Sequence, residues 1–226
     1  LADQNGERVY SAIAKRPVPT GTILWLSTGN LAGDAQADLS VHGGPDKAIY
    51  AYPSEHLAAW SSDLDETSSA AAFGENLSTQ GALEPQVGIG DVWRWDQALM
   101  QVCQPRWPCF KLSLYRRRPD IQARMRATGR TGWYLRVLEP GEVVVGSPLE
   151  IAERDPAGLT IADAHAARRD RPLEDRHLVD PLANHATPAA TGHRPPPPAP
   201  PAPPPVEPQT AQTHQTRRGR APTPPP

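Results

Sequence analysis

The sequence predicts a mainly β domain with a few helices, followed by a proline-rich tail that does not fold. Three observations predict it. Short runs rich in β-branched and aromatic residues, bounded by Gly and Pro, recur along the first 155 residues. Only two segments of that span combine helical apolar spacing with start and stop signals. The chain also carries 28 prolines in 226 residues, about 12% against a usual ~5%, and about half of them fall from Pro188 onward.

RVYSAI and GTILWLS read as strands separated by the turn segment KRPVPT. The chain starts with Leu1 and the first strand candidate follows within a few residues, so an initial strand is an expected omission. LSV is a short apolar strand closed by the turn His42-Gly43-Gly44-Pro45. Leu57, Ala58 and Trp60 then predict a helix with Ser54 at its N-cap and Glu55 in its first turn. FGENLSTQG reads as a strand closing on a loop. DVWRW and ALMQVCQ form a hairpin across Asp96 and Gln97, and the prolines of QPRWPCF end it, which leaves Cys109 just outside the sheet. In RRPDIQARMRATGR, Pro119 sits at the first helical position, Ile121 and Met125 share a face, and Gly129 stops the helix. WYLRVLEPGEVVVGSPLEIAER gives two strands about a Pro-Gly turn.

From Leu159, LTIADAHAARRDR begins like a further helix, but its apolar face does not repeat. It passes into RPPPPAPPAPPPVEPQ, which buries too little surface to offset its ordering entropy and reads as disordered polyproline II. The expected organisation is therefore a domain over 1–155, a remnant helical segment over 156–187 and a disordered tail over 188–226. A PxxP ligand for an SH3-like groove is the alternative to a purely solvated tail.

A formal charge of −2 weighs against nucleic acid or an anionic membrane as the main partner. No run approaches the ~18 apolar residues of a membrane span, and the start lacks the regions of a signal peptide. A cytoplasmic protein is expected. Cys103 and Cys109 are the only cysteines, too few for a disulfide scaffold and not spaced as a CxxC site.

Cys109 is the first chemical candidate. Pro108 holds it on a loop, and Arg106 and Lys111 flank it; nearby cations favour the thiolate, which binds soft metals and attacks sulfur. A small buried hydrophobe is the plainer alternative, and Cys103, inside the alternation MQVCQ, fits that one. HGGPDKA (His42 to Ala48) offers glycines for close backbone approach to an anion and Lys47 as a charge, or merely an exposed turn. Glu75 and Asn76 end the FGEN segment, and Arg130 and Thr131 end the helix; each is open to turn chemistry or to a shared site. The run Arg116, Arg117, Arg118 reads as solvated charge or, less simply, an anion contact. No Ser-His-Asp arrangement, HExxH motif or clustered Cys/His zinc spacing occurs, so ordinary hydrolase mechanisms lose ground.

Taken in order, ADLSVHGGPDKAIYAYP, FGENL, IGD, QPRWPCFKL and GRTGWYLRVLEPGEV resemble the MOSC domain, named after the C-terminal domain of molybdenum cofactor sulfurases. Within it they are similar to the stand-alone bacterial YiiM-like proteins associated with resistance to N-hydroxylated purines. The resemblance covers roughly Gly6 to Glu153 and implies a MOSC-type β-barrel that binds a pyranopterin molybdenum cofactor. It matches Cys109 to the cysteine that ligates molybdenum or carries sulfane sulfur. It matches His42, Gly43, Gly44, Asp46 and Lys47 to a block that helps build the cofactor pocket, and places Glu75, Asn76, Arg106, Arg130 and Thr131 around the pterin or its phosphate.

The implied activity is reduction of N-hydroxylated bases or related small molecules, with electrons from a separate reductase, since no flavin, iron-sulfur or nicotinamide motif is present. A sulfur carrier holding a persulfide on Cys109 is the alternative, and a cofactor-storage domain a third. Pyridoxal phosphate, an association of the family, has no local basis in a Schiff-base lysine. YiiM-like proteins continue into a three-helix segment, of which LTIADAHAARR resembles the opening.

Overall fold

The computed structural model describes Leu1 and residues 8–35, 44–64 and 69–170, with the side chains of 63 and 64 excepted. His42, Gly43, the LSV strand expected before them and the whole 171–226 segment lie outside the described residues.

Eight strands and four α-helices are described: β1 Ile23–Leu26, β2 Ile49–Pro53, α1 Glu55–Leu64, β3 Leu77–Thr79, β4 Val92–Trp95, β5 Ala98–Pro105, α2 Phe110–Arg116, α3 Ile121–Thr128, β6 Trp133–Glu139, β7 Gly141–Val144, β8 Leu149–Glu153 and α4 Ile161–Arg169. Six strands make one sheet in the order β3-β2-β6-β5-β4-β8, and β1 pairs with β7 in a separate ribbon. The large sheet curls into a half-barrel. Its pairs are antiparallel except β2 with β3.

β2 separates two cores. Ile49 and Ala51 point into the cluster around Trp93, Met100, Trp133 and Leu135. Tyr50 and Tyr52 point into the other, with Trp60, Phe73, Leu112 and Met125. A strand buried on both faces shows no polar/apolar alternation, which is why IYAYP is not marked as a strand in the sequence.

The β4–β5 hairpin forms as expected, with Trp95 opposite Ala98 and Asp96 at φ 48° in its turn. The Asp96 carboxylate accepts from the Val144 N–H at 2.7 Å and the Ser147 hydroxyl at 2.6 Å, tying the hairpin to β7. α3 ends on Gly129 at φ 73°, as its sequence predicts.

One expected strand is corrected and one helix is added. RVYSAI forms no regular strand: Ile13 is drawn down onto the second core instead of into a ladder. Two strands flank the Pro-Gly turn as expected, but they do not pair with each other: β6 pairs with β2 and β5 while β7 pairs with β1, and β8 follows as a third strand. α2 was not predicted; it buries a single side chain, Leu112, too little to leave a periodic signal. α4 forms with Thr160 and Asp163 as a reciprocal capping box, and buries Ile161, Ala164 and His165.

Candidate active site

β5 delivers the chain to Pro105, and four residues follow before α2 starts. Cys109 is the residue preceding α2, with extended backbone and half-buried. It lines an open pocket of about 110 Å³ together with Arg106, Lys47, Lys111, Lys15, Asp34 and Asn76. Four cations therefore line the same pocket as one soft sulfur.

Arg106 is the centre of the arrangement. It is 5% exposed, and its backbone N–H donates to the Gly132 carbonyl at 3.0 Å. Its guanidinium lies 5.2 Å from the Tyr50 ring centre, has the Met125 sulfur 3.9 Å from Nη1 and is hydrogen-bonded to the Tyr134 hydroxyl. Among the described residues no carboxylate pairs with it. Buried charges are ordinarily paired, and the one carboxylate lining the pocket, Asp34, is taken by Lys15 and Asn76, so the Arg106 guanidinium calls for an anion from elsewhere. Burial works against its charge, and Tyr50, Tyr134 and Cys109 raise it only where they are themselves ionised. Burial in turn pushes the Tyr50 and Tyr134 hydroxyls up, so both stay protonated and present O–H groups.

The opposite wall is a short relay. The Asn76 side-chain oxygen accepts from the Tyr50 N–H at 3.0 Å, its backbone N–H donates to the Tyr50 carbonyl at 2.8 Å, and its side-chain amide donates to Asp34 at 2.6 Å. The same Asp34 oxygen takes Lys15. Burial lowers the Lys15 ammonium below its ordinary value despite the Asp34 carboxylate beside it.

Of the residues singled out in the sequence, Cys109, Arg106, Lys47 and Asn76 meet in this pocket. Others sit elsewhere. Glu75 is buried and accepts from the N–H groups of Ala71 and Phe73 and from Ser78, bracing the loop that presents Asn76. Asp46 pairs with Arg136 at 2.8 Å, and Arg136 in turn contacts the Cys103 sulfur at 3.2 Å. Burial pushes the Cys103 thiol up to about 11. Thr131 is fully buried; its N–H and that of Gly132 donate to Glu84 at 3.0 and 2.9 Å, while its carbonyl accepts from the Tyr50 hydroxyl at 2.9 Å. Arg130 lies over Trp60, 5.8 Å from the ring centre. Gly44 has φ 99°, a conformation for which its lack of a side chain is needed. The arginine run divides: Arg116 lies over Phe73, Arg117 takes the left-handed conformation after α2, and Arg118 pairs with Asp120.

Lys15 and Asp34 belong to the pocket but to no sequence motif, and Tyr50 and Tyr134 lie within motif blocks without having been singled out. Lys15 closes the apolar run SAIAK, and that lone cation was the available signal.

The pattern of a curled sheet with a cysteine loop and a cationic pocket defines a class, and comparison with known proteins gives it a name. The MOSC domain family matches residues 38–150, and the chain belongs to that family. Within it the chain is 44% identical over 168 residues to Protein YiiM of Escherichia coli, covering 73% of this chain and 74% of that one. The crystal structure of YiiM from Geobacillus stearothermophilus superposes with a TM-score of 0.63 at 36% identity, covering 72% of this chain and 76% of that chain. A protein of Gibberella moniliformis called Reductase is 35% identical over 153 residues, which span 66% of this chain but only 27% of that protein. The chain is thus like the stand-alone bacterial YiiM proteins.

Proposed function

We propose that this protein binds a pyranopterin molybdenum cofactor and reduces N-hydroxylated bases or related small molecules, with Cys109 as the protein's ligand to the metal. The observation that carries the proposal is the buried Arg106, unpaired with any carboxylate among the described residues and sharing a pocket with Cys109.

The donor set fits such a group. Among the described residues there is no cluster of three or more His, Cys, Asp or Glu side chains that could hold a bare ion. A metal that brings most of its own ligands needs only one soft protein sulfur, and Cys109 offers it. Lys15, Lys47, Lys111 and Arg106 would hold the anionic end, with Arg106 suited to a bidentate contact. Asn76 and the Tyr50 and Tyr134 hydroxyls offer hydrogen bonds along the walls. Bound there, the cofactor supplies a two-electron redox change and an acceptor for oxygen.

The overall conversion of R–NH–OH to R–NH₂ and water consumes two electrons and two protons. The electrons come from an external reductase, and the relative named Reductase supports a redox setting. The chain's own contribution is binding, orientation and a positive field around the sulfur.

Reduction of an N-hydroxylated purine by protein from a cofactor-competent host, with its electron donor, tests the reading. Loss of turnover in Cys109→Ser is expected; full turnover in that variant rejects it. A sulfane adduct on Cys109 in native protein free of molybdenum would instead support the sulfur-carrier reading.

A further inference from the structure

Trp107 stands between Arg106 and Cys109 in the chain, yet its indole belongs to neither core cluster. It rests on α4. The His165 ring lies 5.4 Å away at a 34° tilt, and the Arg168 guanidinium carbon lies 4.7 Å from the indole centre. His165 and Arg168 are three residues apart, so one face of α4 presents both.

His165 is 2% exposed and its Nε2 has no hydrogen-bond partner. Burying a polar ring without a partner is unfavourable unless its contacts compensate. Its contacts are Trp107 and the α3 end: a side chain at Gly129 would come within 3.6 Å of the His165 Nδ1. Gly129 opens the loop to Gly132, whose carbonyl receives the Arg106 N–H. α4 therefore bears on both backbone segments that set Arg106.

The cysteine loop needs such support. Of its four residues, Pro108 has no N–H to donate, so side-chain contacts add to the backbone bond that Arg106 makes to Gly132. α4 is itself anchored, by its capping box and by the Ile161 N–H donating to the Val87 carbonyl at 2.9 Å.

We propose that α4 is the positioning element of the cysteine loop, holding Arg106 and Cys109 toward one pocket through the contact of Trp107 with His165 and Arg168. Trp107, His165 and Arg168 are positioning residues, and the helix that follows the half-barrel controls how the sulfur is presented. The inference rests on Cys109 being the working thiol, but its test reads the thiol directly and needs no bound cofactor.

The measurement is the ratio of rates at which Cys109 reacts with an anionic disulfide, 5,5′-dithiobis(2-nitrobenzoate), and a neutral one, 4,4′-dithiodipyridine, with the site located by peptide mass spectrometry. A properly set Arg106 favours the anionic reagent. Trp107→Ala and Arg168→Ala should each lower the ratio by about fivefold, as expected for losing a cation–aromatic contact. Trp107→Phe and Arg168→Lys should restore it. Should Trp107→Ala not fold, the Arg168 pair decides alone. A ratio within about twofold of wild type in folded Arg168→Ala, or no rescue by the conservative variants, overturns the proposal.

Discussion

Arg106→Met separates a buried cation kept for binding from one kept for stability. The side chain makes a hydrogen bond to Tyr134, a cation–π contact with Tyr50 and a contact with Met125. These are worth about 1 kcal/mol for the hydrogen bond and about 1–2 kcal/mol for the cation–π contact. Against them stands the cost of burying a guanidinium without a carboxylate, several kcal/mol even after relaxation. Methionine fills much of the same space and carries no charge.

The ligand-free variant should therefore be as stable as wild type or more stable, by up to ~2 kcal/mol, a gain that would raise Tm by roughly 4–8 °C at its upper limit for a chain of this size. Anion binding should move the other way. Inorganic phosphate should raise the wild-type Tm, as any ligand selective for the folded state does, and leave that of Arg106→Met unmoved. Thermal unfolding with and without phosphate measures both. Destabilisation of ligand-free Arg106→Met by more than ~2 kcal/mol would refute the reasoning, because the cation would then be structurally paired.

Cys103 stays a protonated thiol at neutral pH, since burial pushes it up to about 11; iodoacetamide should label Cys109 alone in native protein and both cysteines in denaturant, as counted by intact mass. The Glu84 carboxyl is driven up by burial, but more than offset by His56 at 2.8 Å and by the Gly132 N–H, so it lies below its ordinary 4.5. Its contribution is complete above that ordinary value and is lost as pH falls through the lower folded one, so urea unfolding should show stability declining in that window, and less steeply in Glu84→Gln. Gly132→Ala should cost at least ~2 kcal/mol, because a side-chain carbon there would lie 2.3 Å from the Ala51 carbonyl at a backbone φ of 65°; a Tm equal to wild type would contradict the packing described.

Much of the fold was legible where local chemistry and tertiary structure agree. Asp96 and Gln97 between two alternating runs, and Pro119 with Gly129 around Ile121 and Met125, each carry their own turn or stop signal. β2 and α2 were not legible: one is buried on both faces, and the other buries only Leu112. In the pocket, Cys109, Arg106 and Lys47 announced themselves by charge beside Gly and Pro. Lys15 and Asp34 did not, because their meeting with Asn76 is made by chain segments far apart in sequence. Glu75 and Asp46 carry the same polar character, but their side chains turn to the loop backbone and to Arg136; sequence places them beside the site without showing which way they point.

The most direct test of the central claim is elemental and pterin analysis of protein purified from a host that makes the cofactor. Wild-type protein should carry molybdenum and pterin together, and Cys109→Ser should lose the metal while remaining folded. Wild-type protein free of both, or a serine variant with undiminished molybdenum, would contradict the role given to that sulfur.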